Sequence, residues 1–191
     1  MSFVFATHNK SKAVEVERLI DNKLDILTLA DLNISHDIPE TSSTIEGNAL
    51  QKARFVFEKY SYNCFADDTG LEVEALKGAP GVYSARYAGD HKNDQDNINK
   101  LLIELSGKTN RKARFKTVVA LIINWKEYLF EGIITGEITQ ERQGVRGFGY
   151  DPVFKPDGYN LTFAEMSIEE KNKISHRAIA INKLADFLKN Y

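Results

Sequence analysis

Apolar and polar positions along this chain follow two rhythms, one helical and one extended, and the switches between them predict a mixed α/β fold. Phe3-Val4-Phe5-Ala6 is a short apolar run that breaks into Thr7-His8-Asn9-Lys10-Ser11-Lys12. Apolar residues then recur at Ala13, Val16, Leu19 and Ile20, so the segment predicts a strand, a tight polar turn and a helix. A second strand is expected over residues 24–29, and a helix near Ser43, where Ser43 and Glu46 have capping-box spacing. A third strand over 63–66 is expected to end in the turn Asp67-Asp68-Thr69-Gly70.

Further along, the polar stretch 90–97 predicts a loop before a helix carrying Ile98, Leu101, Leu102 and Leu105. Residues 113–125 and 128–138, rich in Val, Ile, Phe and Thr around Lys126-Glu127, predict a long antiparallel hairpin. A Gly-rich loop follows at 144–149, and a closing helix sets Ala178, Ile181, Leu184, Ala185 and Leu188 on one stripe. No repeat or low-complexity linker interrupts this order, so residues 1–191 are expected to form a single domain.

Composition narrows the class. With 191 residues, 42% hydrophobic and 27% charged, the chain is long enough for one good core or two small lobes, and disorder is not expected. The longest strongly apolar stretch, 118–123, is far shorter than the ~20 residues that span a bilayer, and no charged-then-apolar signal segment opens the chain. A cytoplasmic protein without a membrane partner is expected. The single Cys64 lies in an apolar run, where it reads as a small buried hydrophobe in a reducing compartment. A net charge of −2 lacks the global positive field of a nucleic-acid binder, so the lysines must act locally.

Local chemistry then stands out at five places. A helix N-terminus offers free N–H groups and a positive dipole end, and a turn adding Thr7, Asn9, Lys10 and Lys12 is suited to phosphate; an ordinary Asn-capped helix has the same sequence. Lys52 falls in the middle of the stripe Ile45, Ala49, Lys52, Val56, either snorkelling to water or bordering an anion site. In Asp67-Asp68, neighbouring strand positions face opposite ways, so one aspartate would face a site while the other supports or caps a turn. With Glu40 as a second carboxylate, such a site would suit Mg²⁺, a hard cation that takes oxygen ligands. Phe148-Gly149-Tyr150-Asp151-Pro152 offers rings to stack on a base, and Ser175-His176-Arg177 places cations where the final helix starts, which suggests a ligand opposite them.

Two further motifs carry no function. Asp68-Thr69-Gly70 occurs once, whereas aspartic-protease chemistry needs two carboxylates sharing a proton. Gly107-Lys108-Thr109 mimics the end of a P-loop, but Leu102 stands where the motif's first glycine is required, leaving a helix-ending turn.

Taken in order, Thr7 to Lys12, Asp67-Asp68-Thr69-Gly70-Leu71, Gly78-Ala79-Pro80-Gly81-Val82-Tyr83-Ser84-Ala85-Arg86-Tyr87, Phe148 to Pro152 and Ser175-His176-Arg177 resemble the inosine triphosphate pyrophosphatase family. The resemblance implies an elongated α/β fold, with a mixed sheet, helices on both sides, two lobes around a central active-site cleft, and a homodimer. It implies Mg²⁺-dependent hydrolysis of ITP, dITP or XTP to the monophosphate and pyrophosphate. By the same resemblance Thr7, His8, Asn9, Lys10, Ser11, Lys12, Lys52 and Thr69 hold the triphosphate, while Glu40 and Asp68 bind the metal. Asp68 is also the general base, supported by Asp67. Phe148, Gly149, Tyr150 and Asp151 flank the base, and Lys171, His176 and Arg177 read its 6-oxo edge. His8 departs from many relatives, which have glycine there. Two other functions fit parts of the pattern: a pyrophosphatase for modified pyrimidine triphosphates, against which the base-edge residues argue, and a nucleotide-binding module without hydrolysis, against which Asp68 and Glu40 argue.

Overall fold

A computed structural model of the chain describes residues 2–20 and 25–191. The strands are β1 (Ser2–Phe5), β2 (Asp25–Thr28), β3 (Cys64–Val73), β4 (Pro80–Gly81), β5 (Lys112–Ile123), β6 (Lys126–Ile138) and β7 (Phe154–Pro156). The helices are α1 (Lys10–Ile20), α2 (Ile45–Tyr60), α3 (Asp94–Glu104), α4 (Ile168–Ile174) and α5 (His176–Lys189). The strand order is β2-β1-β3-β5-β6-β7, with β4 on β3. β1 runs parallel to β2 and β3, whereas β3–β4 and β6–β7 are antiparallel, so the sheet is mixed, as the family resemblance implies.

The chain divides into two compact units: the described residues of Met1–Asp68 with Thr117–Gly132 and Arg177–Tyr191, and Thr69–Lys116 with Ile133–His176. Each has its own core. In the first, Phe3, Phe5 and Phe65 of the strands pack with Val16 and Ile20 of α1, Val119 and Leu121 of β5, and Ile181 and Leu184 of α5. In the second, Leu71 and Val73 pack with Ile98, Leu101 and Leu105 and with Phe115, Phe154 and Phe163. The helical stripes read from the sequence are the buried faces in both cases.

Local details depart from the pattern in three places. The third strand does not stop at 66 but continues through Asp67 and Asp68 to Val73, because their carboxylates find partners and no turn is needed. α2 is capped by Thr44 rather than Ser43; the Thr44 hydroxyl accepts from the Gly47 N–H at 3.0 Å. The β5–β6 hairpin turns at Asn124-Trp125, both with positive φ, instead of at Lys126-Glu127. Of the second strand expected over 24–29, residue 24 lies outside the described residues. No described helix is long and apolar enough to cross a membrane.

The second core makes a direct stability test. Leu101 is fully buried and Ile103, on the same helix, is 74% exposed. Leu101→Ala is expected to destabilise by about 3–5 kcal/mol and Ile103→Ala by less than about 1 kcal/mol in chemical denaturation. Equal effects would mean that α3 does not bury the stripe described.

Candidate active site

The turn after β1 is built by its own side chains. The Asn9 N–H donates to the Thr7 hydroxyl at 3.2 Å, and the Lys12 N–H donates to Asn9 Oδ1 at 3.1 Å, so Asn9 caps α1. No acidic residue occupies the first turn of α1, which leaves its positive dipole end without internal compensation. The His8 ring meets the His36 carbonyl, Nε2 to O 3.0 Å, and Lys10 and Ser11 are exposed. Lys12 instead turns inward, donating from Nζ to Asp67 Oδ1 at 3.1 Å.

Asp67 and Asp68 sit on consecutive positions of β3 and face opposite sides of the sheet, as strand geometry requires. Asp67 meets Lys12 of α1 and Arg177 of α5, whose Nε lies 3.2 Å from Oδ2. Arg177 is 1% exposed, and its Nη1 donates to Glu15 of α1. Lys12, Asp67, Arg177 and Glu15 thus form a chain of alternating charge. Burial alone would raise the Asp67 pKa, but Lys12 and Arg177 outweigh it and hold the carboxyl well below the usual range. Burial lowers the Lys12 ammonium, which Asp67 partly offsets.

On the opposite face, Asp68 meets α2. The Asn48 amide, 2% exposed, donates to Asp68 Oδ2 at 3.2 Å, and its Oδ1 accepts from the Ser42 N–H at 2.9 Å. The Lys52 ammonium lies 3.7 Å from Asp68 Oδ1 and donates to Glu40 Oε1. Burial raises the Asp68 pKa, with Glu40 and Asp67 adding to it against Lys52 and Lys12. Burial also works against the Lys52 charge, yet Asp68 and Glu40 more than compensate and raise its pKa. The stripe position of Lys52 therefore marks an internal ion pair, not a snorkelling side chain.

This donor set fits a magnesium ion. Glu40 and Asp68 already converge on one cation, the Lys52 ammonium, and both offer hard oxygen. No group of three His, Cys, Asp or Glu suited to a metal gathers among the described residues. Mg²⁺ is commonly held by only one or two carboxylates, with water and phosphate completing the shell.

The second unit holds the aromatic turn. Lys171 Nζ donates to Asp151 Oδ2 at 2.6 Å, and the same oxygen accepts from the Phe148 N–H at 2.9 Å. That ammonium lies 5.0 Å from the centroid of the Phe148 ring and 5.5 Å from that of Phe163. Gly147, at φ +75°, has to be glycine, because a Cβ there would lie 2.0 Å from Asp151 Oδ2. His176 is buried against Phe115, the rings 4.5 Å apart and nearly parallel. In the 78–87 motif, Ser84 Oγ accepts from the Leu71 N–H and donates to the Gly81 carbonyl, so this motif builds structure. Thr69 lies half-buried on β3.

Two members of these clusters escape a sequence reading. Glu15 follows Lys12 by three positions on the inward side of α1, and that i,i+3 placement beside buried Val16 is the signal for it. Asn48 adjoins Ala49 on the buried face of α2 and carries no signal beyond that.

Comparison with known proteins agrees along the whole chain. Residues 3–187 match the Ham1 family. A dITP/XTP pyrophosphatase of Flavobacterium psychrophilum is 56% identical over 190 residues, covering 100% of both chains. One of Porphyromonas gingivalis is 53% identical over 186 residues, covering 97% of this chain and 96% of the relative. Among solved structures, a HAM1 protein from Coxiella burnetii has a TM-score of 0.92 at 36% identity, with 100% of each chain covered. The Staphylococcus aureus Ham1 protein has a TM-score of 0.90 at 39% identity, covering 100% of this chain and 99% of that one. With its α/β architecture, its sequence motifs and these full-length matches in agreement, the chain belongs to the Ham1 family.

Proposed function

We propose that this chain hydrolyses non-standard purine nucleoside triphosphates, dITP, ITP and XTP, to the monophosphate and pyrophosphate, with Mg²⁺. The observation that carries the proposal is the Lys52 ammonium held by Glu40 and Asp68, in a chain 56% identical to a relative called dITP/XTP pyrophosphatase. Glu40 and Asp68 would hold the magnesium ion, which supplies neutralisation of phosphate charge and a lowered pKa for bound water.

In this proposal Asp68 accepts a proton from the water that attacks the α-phosphorus. Its buried setting makes the carboxylate a stronger base than one in water. The bond from the α-phosphorus to the bridging oxygen breaks, and the electron pair leaves with pyrophosphate. Lys12 and Lys52, with Thr7, Asn9 and the free N–H groups of α1, steady the phosphoryl oxygens. Asp67 orients Lys12, supporting the same end of the substrate.

Phe148 supplies a face for the base, and Lys171, His176 and Arg177 supply donors for its 6-oxo group. Glu15 and Asp67 fix the plane of the Arg177 guanidinium in this role. Adenine has an amino group where hypoxanthine has a carbonyl, and would set a donor against those donors. The proposal includes a homodimer acting on free nucleotides in the cytoplasm; the net charge of −2 supports a small-molecule substrate over nucleic acid.

Hydrolysis of dITP in ¹⁸O-labelled water tests the point of attack. The label is expected in dIMP and not in pyrophosphate, read by mass spectrometry. Label in pyrophosphate, or release of inorganic phosphate as the first product, would contradict attack at the α-phosphorus.

Asp68→Asn tests the base. The amide cannot take the proton and is a poorer metal ligand, so kcat is expected to fall by about 10²- to 10⁴-fold. Because the raised pKa means that folding disfavours the Asp68 charge, the variant's melting temperature at neutral pH is expected to equal or exceed that of the wild type. Near-normal turnover by a folded variant would remove Asp68 from the mechanism.

A further inference from the structure

The loop that carries Phe148 is fixed residue by residue. The Phe148 N–H donates to Asp151 at 2.9 Å, the Gly149 N–H donates to Asp94 Oδ2 at 2.7 Å, and the buried Tyr150 hydroxyl donates to the Ser84 carbonyl at 2.8 Å. Gly149 has φ +58°, a left-handed conformation, and with no Cβ its backbone is less restrained by its own side chain than that of other residues. Asp94 is the holder, reaching across 55 positions of sequence.

An acidic residue at the start of a helix is ordinary, but here the local jobs are already filled. Asn93 caps α3, its Oδ1 accepting from the Asp96 N–H at 3.0 Å, and Asp96 gives the first turn a second carboxylate. The Asp94 carboxylate thus reaches beyond α3 to the loop. The loop's earlier end is tied to the same helix, since Arg142 Nη2 donates to the Gln95 carbonyl and to Asn99 Oδ1, each at 2.9 Å. α3 is therefore a bracket for the segment from Arg142 to Gly149.

We infer that Asp94 is a positioning residue for base specificity, acting through the Gly149 peptide to set the Phe148 ring against Lys171. The inference rests on the base-binding role proposed above for Phe148. A ring already fixed in its bound place loses less freedom when a base stacks on it, so the benefit falls on binding of the nucleobase. Asp94 touches neither phosphate nor attacking water in this scheme, and its removal belongs in KM more than in kcat.

The test is steady-state kinetics with ITP and ATP for the full-length wild type, Asp94→Ala, Asp94→Asn and Phe148→Ala, with a melting curve for each. Asp94→Ala is expected to raise KM for ITP about three- to tenfold, the weight of one hydrogen bond, and to narrow the ITP-to-ATP ratio of kcat/KM. Asp94→Asn keeps an oxygen that accepts from an N–H, so its KM should stay within about twofold of wild type. If Asp94→Asn behaves like Asp94→Ala, or Asp94→Ala lowers the melting temperature with the ratio unmoved, Asp94 serves α3 alone and the inference is overturned. Phe148→Ala separates the two levels. An unmoved KM for ITP in that variant overturns the base-binding role and this inference with it, whereas a raised KM there beside an unmoved one in Asp94→Ala overturns only Asp94.

Discussion

Asp67 is 1% exposed, and its charge is tolerable inside the protein only because Lys12 and Arg177 meet it from two different helices. Much of the first unit's arrangement follows from that meeting. It fixes α1 and α5 on one face of β3, and strand alternation then turns Asp68 to the other face, toward α2. A buried ion pair is weak evidence for stability, since a well-packed apolar replacement is often as good. Its value here is placement: Lys12 and Arg177 are each held at a defined point.

The two aspartates, adjacent in sequence, have opposite environments. Asp67 is held ionised by cations on its own face, whereas burial and Glu40 push Asp68 toward the neutral form. Carboxylates with diverging pKa values point to divided roles, one structural and one chemical. Lys52 shares the second cluster with Glu40 and Asp68, and its stem packs on the same buried stripe as Ile45, Ala49 and Val56. α2 thereby joins the core and the chemistry in one helix.

Much of this was legible in the sequence because periodicity survives folding. The stripes on α1, α2, α3 and α5 became the buried faces, and Lys52 stood out as a cation on an apolar stripe. The largest failure has a plain cause, that local composition says nothing of partners distant in sequence. Asp67-Asp68-Thr69-Gly70 has turn composition but is strand, since Lys12, Arg177, Asn48 and Lys52 satisfy its carboxylates. Ser43 and Thr44 are adjacent hydroxyls, and only geometry chooses between them as cap. Trp125 at φ +64° carries no turn signal at all. The cations at the start of α5 suggested a ligand opposite them, and for Arg177 the structure shows internal carboxylates in that place, Glu15 and Asp67.

The central claim is hydrolysis with selection for a 6-oxo purine, and a substrate panel tests both halves at once. With Mg²⁺ present, kcat/KM is measured for ITP, dITP, XTP, ATP, GTP and dTTP, following release of pyrophosphate. Hydrogen-bonding donors at the base edge predict values for ITP, dITP and XTP above those for ATP and dTTP by about 10²-fold or more. Comparable values for ATP and dTTP, or binding of dITP with no pyrophosphate released, would contradict the account.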